Sequence, residues 1–417
     1  MPLMPILTLA AAMATPAATP PTPATVALPI AVQAPSPSTV PSSPPAAVVL
    51  FFDRSGAERT LLLRGTSNAM THRPLTAEDP VRVASISKLT VAIAVMRLVD
   101  QHKLRLDADL STYLGWRLRH PAYPNRPITL AMLLGHRSGL TDGGDYGFPL
   151  DADLETELQN PMWWSTQRRP GGTFEYANVG FPVVAAVMEG ATGERFDALM
   201  DRLVFRPLRI DACFNWVRCS DDAIARAVTL YRPNGDVAKD DLRGARPACP
   251  VVPARDGGCD LSLYRLTRSS ASFSPQGGLR ISPRGLSRIG QMMLREGEGL
   301  LSRRSWQQLQ RLTPVEPAGS QNGLLCRYGL AMHSMGPETG RTGATCRADL
   351  LGDGHSYIGH TGDAYSLRSG LFVAPEQGVG VTWFVTQVPE AAPPGASSAF
   401  SAAEEATLRE AGMVRRP

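Results

Sequence analysis

Short apolar runs that read as strands lie near both ends of this 417-residue chain, and a long helical stretch separates them. Val48-Val-Leu-Phe-Phe52 and Leu61-Leu-Leu63 flank a charged, glycine-containing turn and read as a hairpin. Beyond Ser274 the runs Tyr328–Met332, Tyr357–His360, Ser369–Ala374 and Val379–Thr386 have the same character. Strand backbones need partners for their N–H and C=O groups. One sheet built from both termini, with a helical region inserted, satisfies both ends. Ile86–Leu104 has the period of a buried helix, and Ile128–Leu134, Asp153–Leu158, Phe181–Met188 and Phe196–Val204 continue the helical pattern between Pro/Gly-rich loops. Pro283–Arg295 and an amphipathic Ala402–Ala411 add two helices near the end. The expected fold is therefore α/β: an antiparallel sheet from both termini, flanked by helices, with an inserted all-α region over about 105–270. No internal repeat is present.

The first 46 residues have a different composition. The apolar run Pro5–Met13 is too short to span a membrane, and Pro/Ala/Thr/Ser-rich sequence follows it to Pro45. This reads as the apolar part of a secretory signal and an extended linker, although no Lys or Arg precedes the run. Residues 47–417 then form the folded domain. Six cysteines fall in close pairs, Cys213 with Cys219, Cys249 with Cys259 and Cys326 with Cys346. Local pairing suits an oxidising compartment, with neighbours joined and other connectivities open. Together these features point to a periplasmic or secreted protein, or one anchored by an uncleaved N-terminus. No CxxC and no zinc-finger spacing occurs, His355 with His360 included, so no metal is expected. A net charge of +4, with arginines scattered among acids, argues against nucleic-acid binding. No stable partner protein is expected.

Only three lysines occur: Lys88, Lys103 and Lys239. Lys88 closes Ser85-Ile-Ser-Lys88 at the start of the apolar helix. At i and i+3 both side chains share one face. Burial can deprotonate an amine but not a guanidinium, so this is a spacing at which a base can activate a nucleophile. Glu175-Tyr-Ala-Asn178 follows a Gly-rich loop, and Ser356-Tyr-Ile-Gly-His-Thr-Gly362 is a strand ending in glycine. Free Lys and Tyr have pKa values of ~10.4 and ~10, so either needs perturbing to accept a proton at neutral pH. Lys88 and Tyr176 placed together would form one proton-accepting unit.

Ser85-x-x-Lys88, Tyr176-x-Asn178 and His360-Thr-Gly362, in this order, resemble the serine β-lactamase and penicillin-recognising enzyme superfamily. Tyr-x-Asn points to the class C β-lactamase-like branch, which also holds D-Ala-D-Ala peptidases, D-aminopeptidases and esterases. Framing segments agree: Ile128-Thr-x-x-x-Leu-Leu-x-His136-x-Ser-Gly-Leu140 and Gly277-Gly-Leu279. The resemblance covers about Ala47 to Thr386. It implies Ser85 as the acylated nucleophile, with Lys88 and Tyr176 managing protons and Asn178 orienting the substrate. His360, Thr361 and Gly362 would line the substrate, and the N–H groups of Ser85 and Asp363 would form an oxyanion hole. No cofactor is implied. The substrate would be a small molecule or peptide, peptidoglycan peptides among the candidates.

Two departures stand out. His360 replaces the Lys of class C β-lactamases, leaving a weaker, pH-dependent cation to meet a substrate carboxylate. Asp363 adds a carboxylate that could repel an anion, with Arg368 available either to restore positive charge or as a surface group. Both weaken the expectation of efficient penicillin hydrolysis. His136 is expected to pack structurally, and Trp163 and Trp164 either line the cleft or fill the core. No Gly-x-Ser-x-Gly occurs, since Gly354-His-Ser356-Tyr-Ile358 fails at its last position, which excludes a conventional α/β-hydrolase. The competing reading from another class is a non-catalytic penicillin-binding sensor on the same fold.

Overall fold

The computed structural model describes residues 45–337 and 346–414. The signal-like run and nearly all of the linker lie outside the described residues. The main sheet has eight antiparallel strands: β1 (Ala47–Asp53), β2 (Glu58–Arg64), β3 (Thr313–Pro314), β4 (Arg327–Tyr328), β5 (His333–Met335), β6 (Tyr357–Ala364), β7 (Leu367–Ala374) and β8 (Val379–Val385). Their spatial order is β3-β4-β5-β6-β7-β8-β1-β2, so β1 enters beside the last strand and the two termini close one sheet. Ala47 pairs with Val385 and Asp53 with Val379.

Alternation along β1 explains why the sheet is covered on both faces. Val48, Leu50 and Phe52 face one core while Val49 faces another. Every residue of β7 is buried, as expected for a strand with neighbours on both sides and cover on both faces. The longer helices are α1 (Ile86–Asp100), α2 (Gly180–Thr192), α3 (Pro283–Leu294) and α4 (Ala402–Glu410). α3 lies against β1, β7 and β8. A Cβ on Gly290 of α3 would come within 2.2 Å of the Phe52 ring, so this glycine lets helix and sheet meet. On the other face, Trp383 stacks on Phe372 and donates from its indole Nε1 to Glu404 of α4 at 3.2 Å. α4 opens with a capping box between Ser401 and Glu404. α1 is buried nearly all round, which its unbroken apolar run requires.

Three expectations change in detail. Tyr328–Met332 is not one strand: the chain turns between β4 and β5, with Ala331 in the left-handed region at φ 56° and Gly329 donating to the Met332 carbonyl. Phe196–Val204 starts as an α-helical turn and widens over Asp201–Phe205. The inserted region is not all helical. It carries the strand Cys213–Phe214, paired to Leu279–Ile281, and a small hairpin, Leu230–Tyr231 with Val237–Lys239. Disulfides join Cys213 to Cys219, Cys249 to Cys259 and Cys326 to Cys346.

Candidate active site

Ser85 is the N-cap of α1, and the residue before it holds it at the mouth of a cavity of about 890 Å³. Ala84 sits at φ 48°, a left-handed conformation that an alanine adopts only when its surroundings dictate it. Ser87 supplies part of that restraint. Its hydroxyl donates to the Ala84 carbonyl at 2.6 Å and accepts from the Leu279 N–H at 3.0 Å.

Lys88, one turn further, is fully buried beneath Ser85. Its Nζ lies 2.9 Å from Ser85 Oγ, 2.7 Å from Asn178 Oδ1 and 2.8 Å from the Gln276 carbonyl oxygen. Two of these partners can only accept. A neutral amine has two N–H donors for them, so its lone pair is left facing the Ser85 hydroxyl. Burial pulls the Lys88 pKa down to about 7, partly opposed by the negative charge of Asp142. The orientation of Asn178 is fixed from behind. Asp142 accepts from Asn178 Nδ2 at 2.8 Å, from the Asn178 N–H at 2.8 Å and from the Val179 N–H at 3.0 Å. The amide oxygen therefore faces Lys88. The acid also sits at the N-terminus of α2, where negative charge is favoured.

Tyr176 lines the same cavity as Ser85, and Lys88 Nζ lies 5.0 Å from its ring centroid. Burial raises the Tyr176 pKa well above the usual phenol range, and the acids Asp142 and Asp363 add to the rise. At neutral pH the amine can be neutral while the phenol keeps its proton. Of the pair expected to share one proton, Lys88 is the one that burial brings toward neutrality. His136 stacks under Tyr176 with centroids 4.3 Å apart, and its Nδ1 accepts from the Ala177 N–H at 3.1 Å. It is a packing residue, held neutral by burial. Trp163 and Trp164 are buried, Trp163 edge-on to Phe148 and Trp164 donating to the Leu158 carbonyl, so they fill the core and do not line the cavity.

The opposite wall is β6. His360, Thr361 and Asp363 line the same cavity as Ser85, Tyr176 and Asn178. Gly362 has a specific reason: a Cβ there would fall 2.2 Å from the Val83 carbonyl oxygen and 2.3 Å from Ser369 Oγ. The strand thus rests directly on the backbone two residues ahead of Ser85. The expectation of a pH-dependent cation at His360 fails on its surroundings. The ring is 1% exposed, with Nε2 3.0 Å from the Tyr328 hydroxyl and Nδ1 2.6 Å from the Thr361 carbonyl oxygen. Burial, with His333 and Lys88 nearby, holds its pKa well below the ordinary histidine value. Arg368 is not a surface group. It is 9% exposed, pairs with Asp363 and points two further N–H contacts at the carbonyls of Pro389 and Glu390. The pair cancels the repulsion expected of Asp363.

Sequence reasoning missed Asp142, Gln276, Tyr328 and His333. His333 Nε2 accepts from the Thr361 N–H at 3.2 Å, so it supports the strand from behind. Gln276 immediately precedes Gly277-Gly-Leu279, and Asp142 lies two residues beyond Leu140; both motifs marked the neighbourhood without marking these residues.

The β-lactamase family profile matches residues 47–404. Esterase EstB of Burkholderia gladioli is 31% identical over 169 residues, 36% of this chain and 42% of that protein. The D-alanyl-D-alanine-carboxypeptidase/endopeptidase AmpH of Escherichia coli K12 is 31% identical over 137 residues, 31% of this chain and 35% of its own length. The chain thus spans less than half the length of these curated relatives. Among solved structures, the D-amino acid amidase of Ochrobactrum anthropi SV3 in complex with D-phenylalanine superposes with a TM-score of 0.60. It covers 88% of this chain and 93% of its own at 17% identity, a likeness of fold alone. With the profile running from β1 into α4, the chain belongs to the β-lactamase family.

Proposed function

We propose that this chain is a serine hydrolase that cleaves an amide or ester through an acyl-enzyme on Ser85. One observation carries the reading: a fully buried Lys88 whose amine lies 2.9 Å from Ser85 Oγ and whose remaining partners are both carbonyl oxygens. As Oγ bonds to the substrate carbonyl carbon, its proton passes to the Lys88 lone pair. The resulting oxyanion is met by the backbone N–H groups of Ser85 and Asp363. The proton then returns to the departing amine or alkoxide through the Tyr176 hydroxyl, which donates one proton as it accepts another. Water repeats the sequence in reverse sense and frees the acid. Asn178 keeps Lys88 in place and offers its amide to the substrate.

Peptides ending in D-alanine and simple esters are the substrate classes favoured by the relatives' activities. The absence of a cation at His360 speaks against efficient β-lactam turnover. The three disulfides favour an exported protein working in an oxidising compartment.

A fluorophosphonate probe tests the assignment. Wild type should be labelled on Ser85 by peptide mass mapping, and Ser85→Ala should lose both label and ester turnover while keeping its near-UV circular dichroism. Label on another serine defeats the assignment. A penicillin adduct that never clears, with no ester turnover, would instead identify a sensor.

A further inference from the structure

The cavity holding Ser85 has a second polar wall that the hydrolytic chemistry leaves idle. Arg82 lies three residues before Ser85, on the short strand Val81–Arg82 that pairs with Leu279–Ile281. Three residues reach at most about 11 Å, so the two side chains start from neighbouring points of one wall. Arg82 is 8% exposed, its guanidinium carbon lies 4.6 Å from the Tyr365 ring centroid, and its Nε has no hydrogen-bond partner. Lys239, at the end of the small hairpin, places Nζ 5.6 Å from the same ring. Both cations and the tyrosine line the cavity.

Nearby carboxylates do not neutralise them. Asp240 is bound by Arg280 at 2.8 and 3.2 Å and accepts from the Trp216 indole at 3.1 Å. Asp363 pairs with Arg368, and Glu390 with Arg232 at 3.3 Å. Asp142 serves the start of α2, and Asp145 accepts from the Gly147 N–H at 2.8 Å. No carboxylate among the described residues forms an ion pair with Arg82 or Lys239. Asp240 is taken by Arg280, which leaves Arg82 and Lys239 without an ion pair among the described residues. A desolvated guanidinium whose Nε–H meets no acceptor and whose charge meets no carboxylate is costly to a fold, and a substrate carboxylate would offset that cost. Burial, with Arg280 adjoining, draws the Arg82 pKa down to about 10, so it remains charged at neutral pH.

We propose that Arg82 and Lys239, held against Tyr365, form an anion subsite that takes a carboxylate carried by the substrate away from the bond being cleaved. A guanidinium edge can hold two carboxylate oxygens at once, and the lysine adds a mobile point charge. The subsite gives the hydrolase reading, on which it rests, a substrate class: acid-bearing esters and amides such as peptides with a free carboxylate. It also supplies the positive charge that His360 does not.

Two esters that differ by one terminal carboxylate separate the subsite from the chemistry: 4-nitrophenyl butyrate and mono-4-nitrophenyl glutarate. The ratio of kcat/KM for the glutarate ester to that for the butyrate ester should fall by about 10- to 100-fold in Arg82→Gln, the span for losing a charge-assisted hydrogen bond. Lys239→Met, at a half-buried hairpin position that leaves the core untouched, should move the ratio the same way. Lys239→Glu should shift preference toward a trimethylammonium-bearing ester. Ratios within twofold of wild type in all three folded variants would overturn the subsite while leaving the hydrolase standing. Calorimetric titration with free glutarate reads the subsite without turnover. Binding to wild type that is lost in Lys239→Met supports it even if no ester is cleaved; no binding, or equal binding, overturns it.

Discussion

The two walls of the cavity bury their titratable groups to a similar degree, with opposite results. On the helix wall, Lys88 begins far above neutrality, and loss of water brings it down to about 7, where it can exchange a proton. On the strand wall, His360 begins near neutrality, and the same loss of water takes it well below that range. His333, behind it, falls to about 4. Desolvation always disfavours the charged form, so the starting pKa decides whether burial activates a base or silences it. Tyr176 completes the logic in the other direction. Burial pushes a phenol further from neutrality and keeps it a donor.

That contrast can be broken in order of expected effect. Lys88→Arg preserves charge and removes the proposed base of the helix wall, so ester turnover should drop to the Ser85→Ala background in steady-state assays. Turnover anywhere near wild type would make Lys88 a merely electrostatic partner. Tyr176→Phe removes the relay and leaves the base, and kcat should fall by about 10²- to 10⁴-fold. Asp142→Asn keeps Asn178 near its place and deletes the charge that supports protonated Lys88. A loss of about 10- to 100-fold is expected, together with a shift of the acidic limb of the kcat/KM profile to lower pH. An unmoved limb would disconnect Asp142 from Lys88. In wild type that limb should rise with pH through about 7, as the amine loses its proton, with no descending limb from the phenol below about pH 10. The smallest effect is a null one: between about pH 6 and 8 the ratio of acid-bearing to neutral ester turnover should stay flat, because His360 is neutral throughout. A ratio falling across that window would return His360 to carboxylate recognition.

The helix wall was largely legible in the sequence, because its spacing is local. Ser85 and Lys88 share a helix face by count alone, and Tyr176 and Asn178 lie in one Gly-rich loop. The hairpin of β1 and β2 and the late strands were legible from runs of β-branched and aromatic residues, as was the disulfide spacing. What escaped were residues whose roles exist only across the fold. Asp142 reaches Asn178 over 36 residues, Gln276 offers Lys88 a backbone carbonyl that no side-chain pattern encodes, and Tyr328 meets His360 over a turn that resembled a continuous strand. His360 was misjudged for the same reason, since its protonation depends on the depth of a strand rather than on its neighbours in sequence.

The contact of β6 and β7 with Val83 has a consequence in time. Ser369 donates to the Val83 carbonyl across 286 residues, and Gly362 presses on the same peptide. During synthesis Ser85 emerges long before either. Until the chain has grown through β8, β1 has β2 beside it but lacks its other neighbour in the sheet, and the turn at Ala84 lacks the strands that brace it. The setting of this serine is therefore completed late in the growing polypeptide, when nearly the last strand is in hand.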